Sequence, residues 1–117
     1  MSKTRIAVAG AGYIGQAHMG VAQRSATVEL SAVVDPSPGA KAHADAAGVP
    51  LYASLTELFA KNKPDGLVLA TPNPLHVPHA LECIAAGVPM LLEKPIAQTV
   101  AEAERLVRAA DEAKAKI

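Results

Sequence analysis

Ile6-Ala7-Val8-Ala9-Gly10-Ala11-Gly12-Tyr13-Ile14-Gly15 decides the fold. A short apolar run has the length of a buried strand. It ends in three glycines at the G-x-G-x-x-G spacing, and the residues after them keep a helical period. Asp35 stands twenty positions after Gly15, at the end of a second apolar run that closes Leu30 to Val34. Strand, glycine turn, helix, strand and acid, in that order, are what a dinucleotide needs from a protein. Gly10 allows the tight turn. Gly12, lacking a Cβ, lets the main chain approach a pyrophosphate. Gly15 lets the helix lie close to the strand. The helix that starts here offers free N–H groups and the positive end of its dipole to phosphates. Asp35 can accept hydrogen bonds from the adenosine ribose hydroxyls, and it disfavours a 2′-phosphate, so NAD is expected over NADP. Tyr13 and Ile14 lie inside the turn and are assigned to the cofactor site with the glycines.

Composition bounds the rest. The chain has 117 residues, half of them apolar, which suits a single domain with a real core. Aromatic residues are limited to Tyr13, Tyr52 and Phe59. The core is therefore expected to consist of Val, Leu, Ile and Ala, as in helices packed on a parallel sheet. Basic and acidic residues balance at 11 each, without the basic excess of a nucleic-acid or membrane-surface protein. Cys83 is the single cysteine, so no internal disulfide forms, which fits a reducing compartment. The apolar run after Arg5 meets Gly10 too soon for a signal peptide. No stretch has the ~20 apolar residues of a membrane span. A cytoplasmic protein is expected.

Strand and helix signals alternate along the chain. Strands are expected at Ile6–Ala9, Val28–Val34, Leu51–Tyr52, Leu67–Ala70 and Val88–Leu92. The first helix is expected over 13–24, with Ile14, Ala17, His18, Val21 and Ala22 on one apolar face. An alanine-rich helix ends before Gly48. Ser54 and Glu57, and again Thr99 and Glu102, have the spacing of capping boxes. The helix after Asn73-Pro74 should bury Val77, Ala80, Leu81 and Ile84 and stop at Gly87. The last helix should turn Ala103, Leu106, Val107 and Ala110 inward and pair Glu104 with Arg108 outside. The plan is α/β: a doubly wound open parallel sheet of Rossmann type, strand order 3-2-1-4-5, with helices on both faces. Its ligand crevice lies outside the carboxyl ends of the strands, where Asp35, Thr71–His76 and Glu93-Lys94-Pro95 cluster.

These last segments carry a resemblance. Gly10–Gly15 with His18, Val34-Asp35, Thr71-Pro72-Asn73 with His76, and above all Glu93-Lys94-Pro95 make the chain similar to the amino-terminal domain of the Gfo/Idh/MocA family. The likeness covers essentially the whole chain. It implies an NAD- or NADP-binding Rossmann domain of an oxidoreductase that oxidises a sugar or cyclitol hydroxyl, or reduces the matching carbonyl. It implies that Lys94 faces the substrate as the catalytic residue of this half, stabilising developing alkoxide charge. It places Glu93 near the nicotinamide ribose and lines the nicotinamide half of the cleft with Thr71, Pro72, Asn73 and His76. Pro95 is expected to follow a cis peptide bond. The family's second domain, with its catalytic histidine, has no counterpart in these residues. The 117 residues are therefore expected to bind the cofactor and to lack turnover alone, with a substrate engaged only through that other half.

Three readings of function follow: the cofactor domain of an oxidoreductase, a non-enzymatic dinucleotide-binding module, or an adenylate-handling enzyme on the same fold. Other signals are weaker. His18, on an apolar face, reads as a hydrogen-bonded structural histidine. His76, His79 and Cys83 share a helix flank at offsets of three and four, but no further ligand completes a metal site. The Val88–Leu92 strand is expected to lie at an open sheet edge through which the chain pairs into a homodimer.

Overall fold

Five strands make one all-parallel sheet in the computed structural model, which describes residues 2–117. They are β1 (Thr4–Ala9), β2 (Val28–Val34), β3 (Leu51–Tyr52), β4 (Gly66–Leu69) and β5 (Met90–Leu92), in the order β3-β2-β1-β4-β5. The order reverses between β1 and β4, so the crevice opens beside the glycine turn. The helices are α1 (Tyr13–Arg24), α2 (Ala40–Ala47), α3 (Leu55–Lys61), α4 (His76–Ala86) and α5 (Val100–Ala113), with one 3₁₀ turn at Asn73–Leu75.

Alternation along the strands builds two cores. Val8, Leu30 and Val33 meet Met19 and Ala22 of α1 and Ala40 and Ala44 of α2 on one face. Ala7, Ala9, Ala32, Val34, Leu67 and Leu69 meet Leu55 and Leu58 of α3, Val77, Ala80 and Cys83 of α4 and Leu106 of α5 on the other. Each strand of the centre is thus apolar on both sides, as the continuous apolar runs require. The expected caps form: Ser54 Oγ accepts the Glu57 N–H at 3.2 Å and Thr99 Oγ1 accepts the Glu102 N–H at 3.1 Å. Helices α2 and α4 end at Gly48 and Gly87 in the left-handed region, as the sequence predicts.

Four details differ from the sequence reading. In α1 the buried residues are Gly15, Met19 and Ala22, whereas Ile14 and Val21 are exposed. The helix meets the sheet by Gly15, Ala22 and the unbranched Met19, because Gly15 brings it too close for a branched side chain. In α5 Leu106 is buried but Val107 is exposed, and Glu104 and Arg108 are not among the ion pairs. The fourth strand starts and ends one residue early, and β5 begins only at Met90. The Val88 N–H is already spent on Cys83 O at the helix stop. The outer edge of β5 is also less open than expected: the Met90 N–H donates to Lys116 O at 3.0 Å, so the chain's last residues lie along it.

Candidate functional site

The glycine turn shows two different uses of one residue type. Gly10 has φ of +95°, and a Cβ there would sit 2.4 Å from Ala70 O. At Gly15 a Cβ would come 1.7 Å from Gly10 O. Both positions are closed by the protein's own main chain. Gly12 is different: a Cβ built there meets nothing within 4 Å. Its missing side chain is not demanded by packing, and it leaves space in front of the first turn of α1. That turn has no side-chain cap and no acidic residue. The first helical bond runs from Gln16 N–H to Gly12 O at 2.9 Å, so the N–H groups of Tyr13, Ile14 and Gly15 stand outside the ladder, available to an anion.

Asp35 lies at the tip of β2, held there by its N–H on Tyr52 O. Its Oδ2 accepts the Ala11 N–H and its Oδ1 the Ser37 N–H, each at 2.8 Å. Burial pushes this carboxyl up, but the hydrogen bonds from Ala11 and from the Ser37 N–H and side chain outweigh it and hold it below the usual aspartate range. An ionised carboxylate has about four acceptor positions, so each oxygen keeps capacity for a ribose hydroxyl.

Across the switch point, Ile14, Ala70, Thr71, Asn73, His76, Glu93 and Lys94 line a cavity of about 220 Å³. Its walls come from α1, the loop after β4 and the loop after β5. His76 ties the two loops together. It is buried, with Nε2 2.8 Å from Thr71 O and Nδ1 2.6 Å from Pro95 O. Both ring nitrogens are spent on main-chain oxygens, so this side chain shapes the wall instead of offering a free polar group. His79 Nδ1 lies 3.1 Å from Thr71 Oγ1, and burial pushes its ring below the usual histidine range. Glu93 Oε1 lies 2.9 Å from His18 Nε2. That hydrogen bond holds the Glu93 carboxyl below its usual range; burial opposes it, and the Lys94 N–H and the His18 and Lys94 charges act with it. The Lys94–Pro95 bond is cis. A larger groove of about 460 Å³, bordered by Val21, Leu91 and Ile117, includes Val28 and Gly66, the first residues of β2 and β4. It therefore lies at the wrong end of a parallel sheet for the crevice.

Known proteins agree with this geometry. The family pattern described as "Oxidoreductase family, NAD-binding Rossmann fold" (GFO_IDH_MocA) matches residues 4–117. The chain belongs to the Gfo/Idh/MocA oxidoreductase family. The rhizopine catabolism protein MocA of Rhizobium meliloti is 32% identical over 111 residues, 95% of this chain and 35% of that protein. The inositol 2-dehydrogenase of Leifsonia xyli is 38% identical over 108 residues, 88% of this chain and 31% of that one. The WlbA dehydrogenase of Bordetella pertussis, solved in complex with NADH and UDP-GlcNAcA, superposes with a TM-score of 0.91 at 36% identity, covering 97% of this chain and 36% of that one. The chain spans about a third of the length of these relatives.

For a Gfo/Idh/MocA domain the residues present fit the cofactor. The open space at Gly12 and the uncapped turn of α1 suit a pyrophosphate, Asp35 suits ribose hydroxyls, and the cavity is large enough for one end of a dinucleotide. The sequence-assigned residues fall into two groups, with Gly10, Gly12, Tyr13, Gly15 and Asp35 at the glycine turn and the end of β2, and Thr71, Asn73, His76, Glu93 and Lys94 around the cavity, where Ile14 joins them. Pro72 precedes the 3₁₀ turn and accepts the Leu75 N–H. His18, assigned only a structural part by its sequence position, reaches this second group.

Proposed function

We propose that this domain is the cofactor half of an enzyme that transfers hydride between NAD and the hydroxyl-bearing carbon of a sugar, cyclitol or similar polyol. The observation that carries this reading is the vacancy of Gly12 beside the free first turn of α1, on the same sheet end as Lys94. When bound, NAD supplies the hydride acceptor or donor. The chain's own residues do the rest of this half. The first-turn N–H groups of α1 hold the pyrophosphate, and Asp35 holds the adenosine ribose. Lys94 donates a hydrogen bond to the reacting oxygen and stabilises charge there as the carbon changes oxidation state. Asp35 also selects NAD over NADP, since Pro36, Ser37 and Pro38 bring no cation to a 2′-phosphate. The relatives' further length is where the substrate contacts and the proton-transfer group are assigned, so these 117 residues alone bind NAD weakly and do not accumulate NADH from polyols.

A cytoplasmic location accords with the free buried thiol of Cys83; among the described residues no helix is long and apolar enough to cross a membrane. Self-association is assigned to the apolar surface around Leu91, whose side chain is exposed, with only the remaining groups of the β5 edge to pair. Sedimentation at rising concentration tests this: a Leu91→Lys chain should stay monomeric where the parent gains mass.

Parallel calorimetric titrations with NAD, NADP and ATP test the main reading. NAD should bind most tightly. Preferred binding of ATP would favour an adenylate-handling protein, and preferred binding of NADP would overturn the role given to Asp35.

A further inference from the structure

His18 and Glu93 are 75 positions apart in sequence, yet their side chains meet at 2.9 Å, each about three-quarters buried at 25% and 22% exposed. The contact joins the helix behind the glycine turn to the segment that carries Lys94. Packing does not require it. Helix α1 is fixed to the sheet by Gly15, Met19 and Ala22, and His18 belongs to neither core. Glu93, in turn, begins the loop after β5, where its own N–H on Leu69 O is the last bond that ties the segment to β4. Beyond that bond the carboxylate has many rotamers open to it; His18 is the side chain that limits them, beside the adjacent Lys94 N–H.

We propose that His18 is a positioning residue for the nicotinamide end of the site, holding the Glu93 carboxylate on the cavity wall so that the pocket beside Lys94 is shaped before the cofactor enters. The inference rests on the NAD reading above and adds a residue to it. A glutamate left unpaired at a pocket mouth must be ordered at the moment of binding, and that ordering weakens affinity. A histidine Nε2–H already bonded to it removes that loss. The effect is local to one end of the cofactor. Asp35 and the first turn of α1 hold the adenosine and pyrophosphate through groups that His18 does not touch. A residue that merely stabilised α1 would instead weaken both ends together.

The test compares NADH with ADP-ribose, which lacks the nicotinamide, on the 117-residue chain. In His18→Ala the Kd for NADH should rise about tenfold, as loss of a hydrogen bond to a charged group implies, with ADP-ribose changed less than about twofold. The rise in nicotinamide fluorescence on binding should shrink in the same variant. His18→Gln keeps an N–H donor near that position and should restore both. His18→Leu, which removes the donor and keeps an apolar side chain of similar bulk against the sheet, should repeat the loss, and it serves if His18→Ala unfolds. Equal losses for NADH and ADP-ribose, no loss, or no rescue by Gln with an unchanged melting temperature would each overturn the proposal. If the parent chain binds ADP-ribose and NADH equally, the nicotinamide pocket is not formed and His18 positions nothing. If the parent binds neither, the NAD reading itself fails, and the proposal with it.

Discussion

The carboxylate of Asp35 accepts the main-chain N–H of Ala11 at 2.8 Å, so the acid that ends β2 also fixes the middle of the glycine turn. One side chain therefore serves two parts of the site. It orients the turn whose next residue is Gly12, and it keeps acceptor capacity for a ribose.

Asp35→Ala should weaken NAD binding by about 1–3 kcal/mol, the range of hydrogen bonds to a charged group. The same change should narrow the preference for NAD over NADP, because the charge that repels a 2′-phosphate is gone. Calorimetric titration of both cofactors against parent and variant measures the two effects together.

Acid should destabilise the fold in two steps. His79 is held below its ordinary 6.5 by burial, so the unfolded chain takes up its proton first and stability falls as pH drops through that value. Asp35 is held below its ordinary 3.8, so its contribution is complete above that value and is lost as pH falls through the folded one. Glu93 acts in the same sense. Thermal midpoints from pH 8 to 3 should be flat at the alkaline end and then fall. His79→Gln should flatten the upper limb and Asp35→Asn the lower.

The order of elements and the place of the crevice were legible because they rest on local signals. The glycine spacing, the capping residues Ser54 and Thr99, and the stops at Gly48 and Gly87 each act within a few positions. What was not legible depends on distance through the fold. The buried face of α1 shifts to Gly15, Met19 and Ala22 because the close approach at Gly15 sets the helix rotation, and a periodicity of apolar residues does not contain that constraint. His76 has a cleft position, as its motif implies, but the engagement of both ring nitrogens with Thr71 and Pro95 is visible only when the two loops are together. The same holds for His18 and Glu93. The covering of Met90 by Lys116 depends on where α5 ends relative to β5.

His76→Ala should cost about 2–4 kcal/mol in urea unfolding, through a cavity and the loss of the ring's hydrogen bonding between Thr71 O and Pro95 O. NADH binding should fall further than stability alone explains, since the loops on either side of the cavity proposed for the nicotinamide lose their common strut.

Gly15→Ala should destabilise the chain by about 3 kcal/mol or more, because the added methyl would lie 1.7 Å from Gly10 O and only main-chain movement can relieve it. Gly10→Ala should behave alike, with a positive φ added to the clash. Chemical denaturation of the two variants checks this.

Gly12→Val tests most directly whether the turn exists to hold a dinucleotide. The position has φ of −77°, which a valine adopts without strain, and a Cβ there meets no protein atom within 4 Å. Folding stability should change by only about 1 kcal/mol, the scale of a helix-cap substitution, while NAD binding measured by calorimetry should be lost. A Gly12→Val chain that folds normally and binds NAD as tightly as the parent would contradict the assignment of this turn to the pyrophosphate.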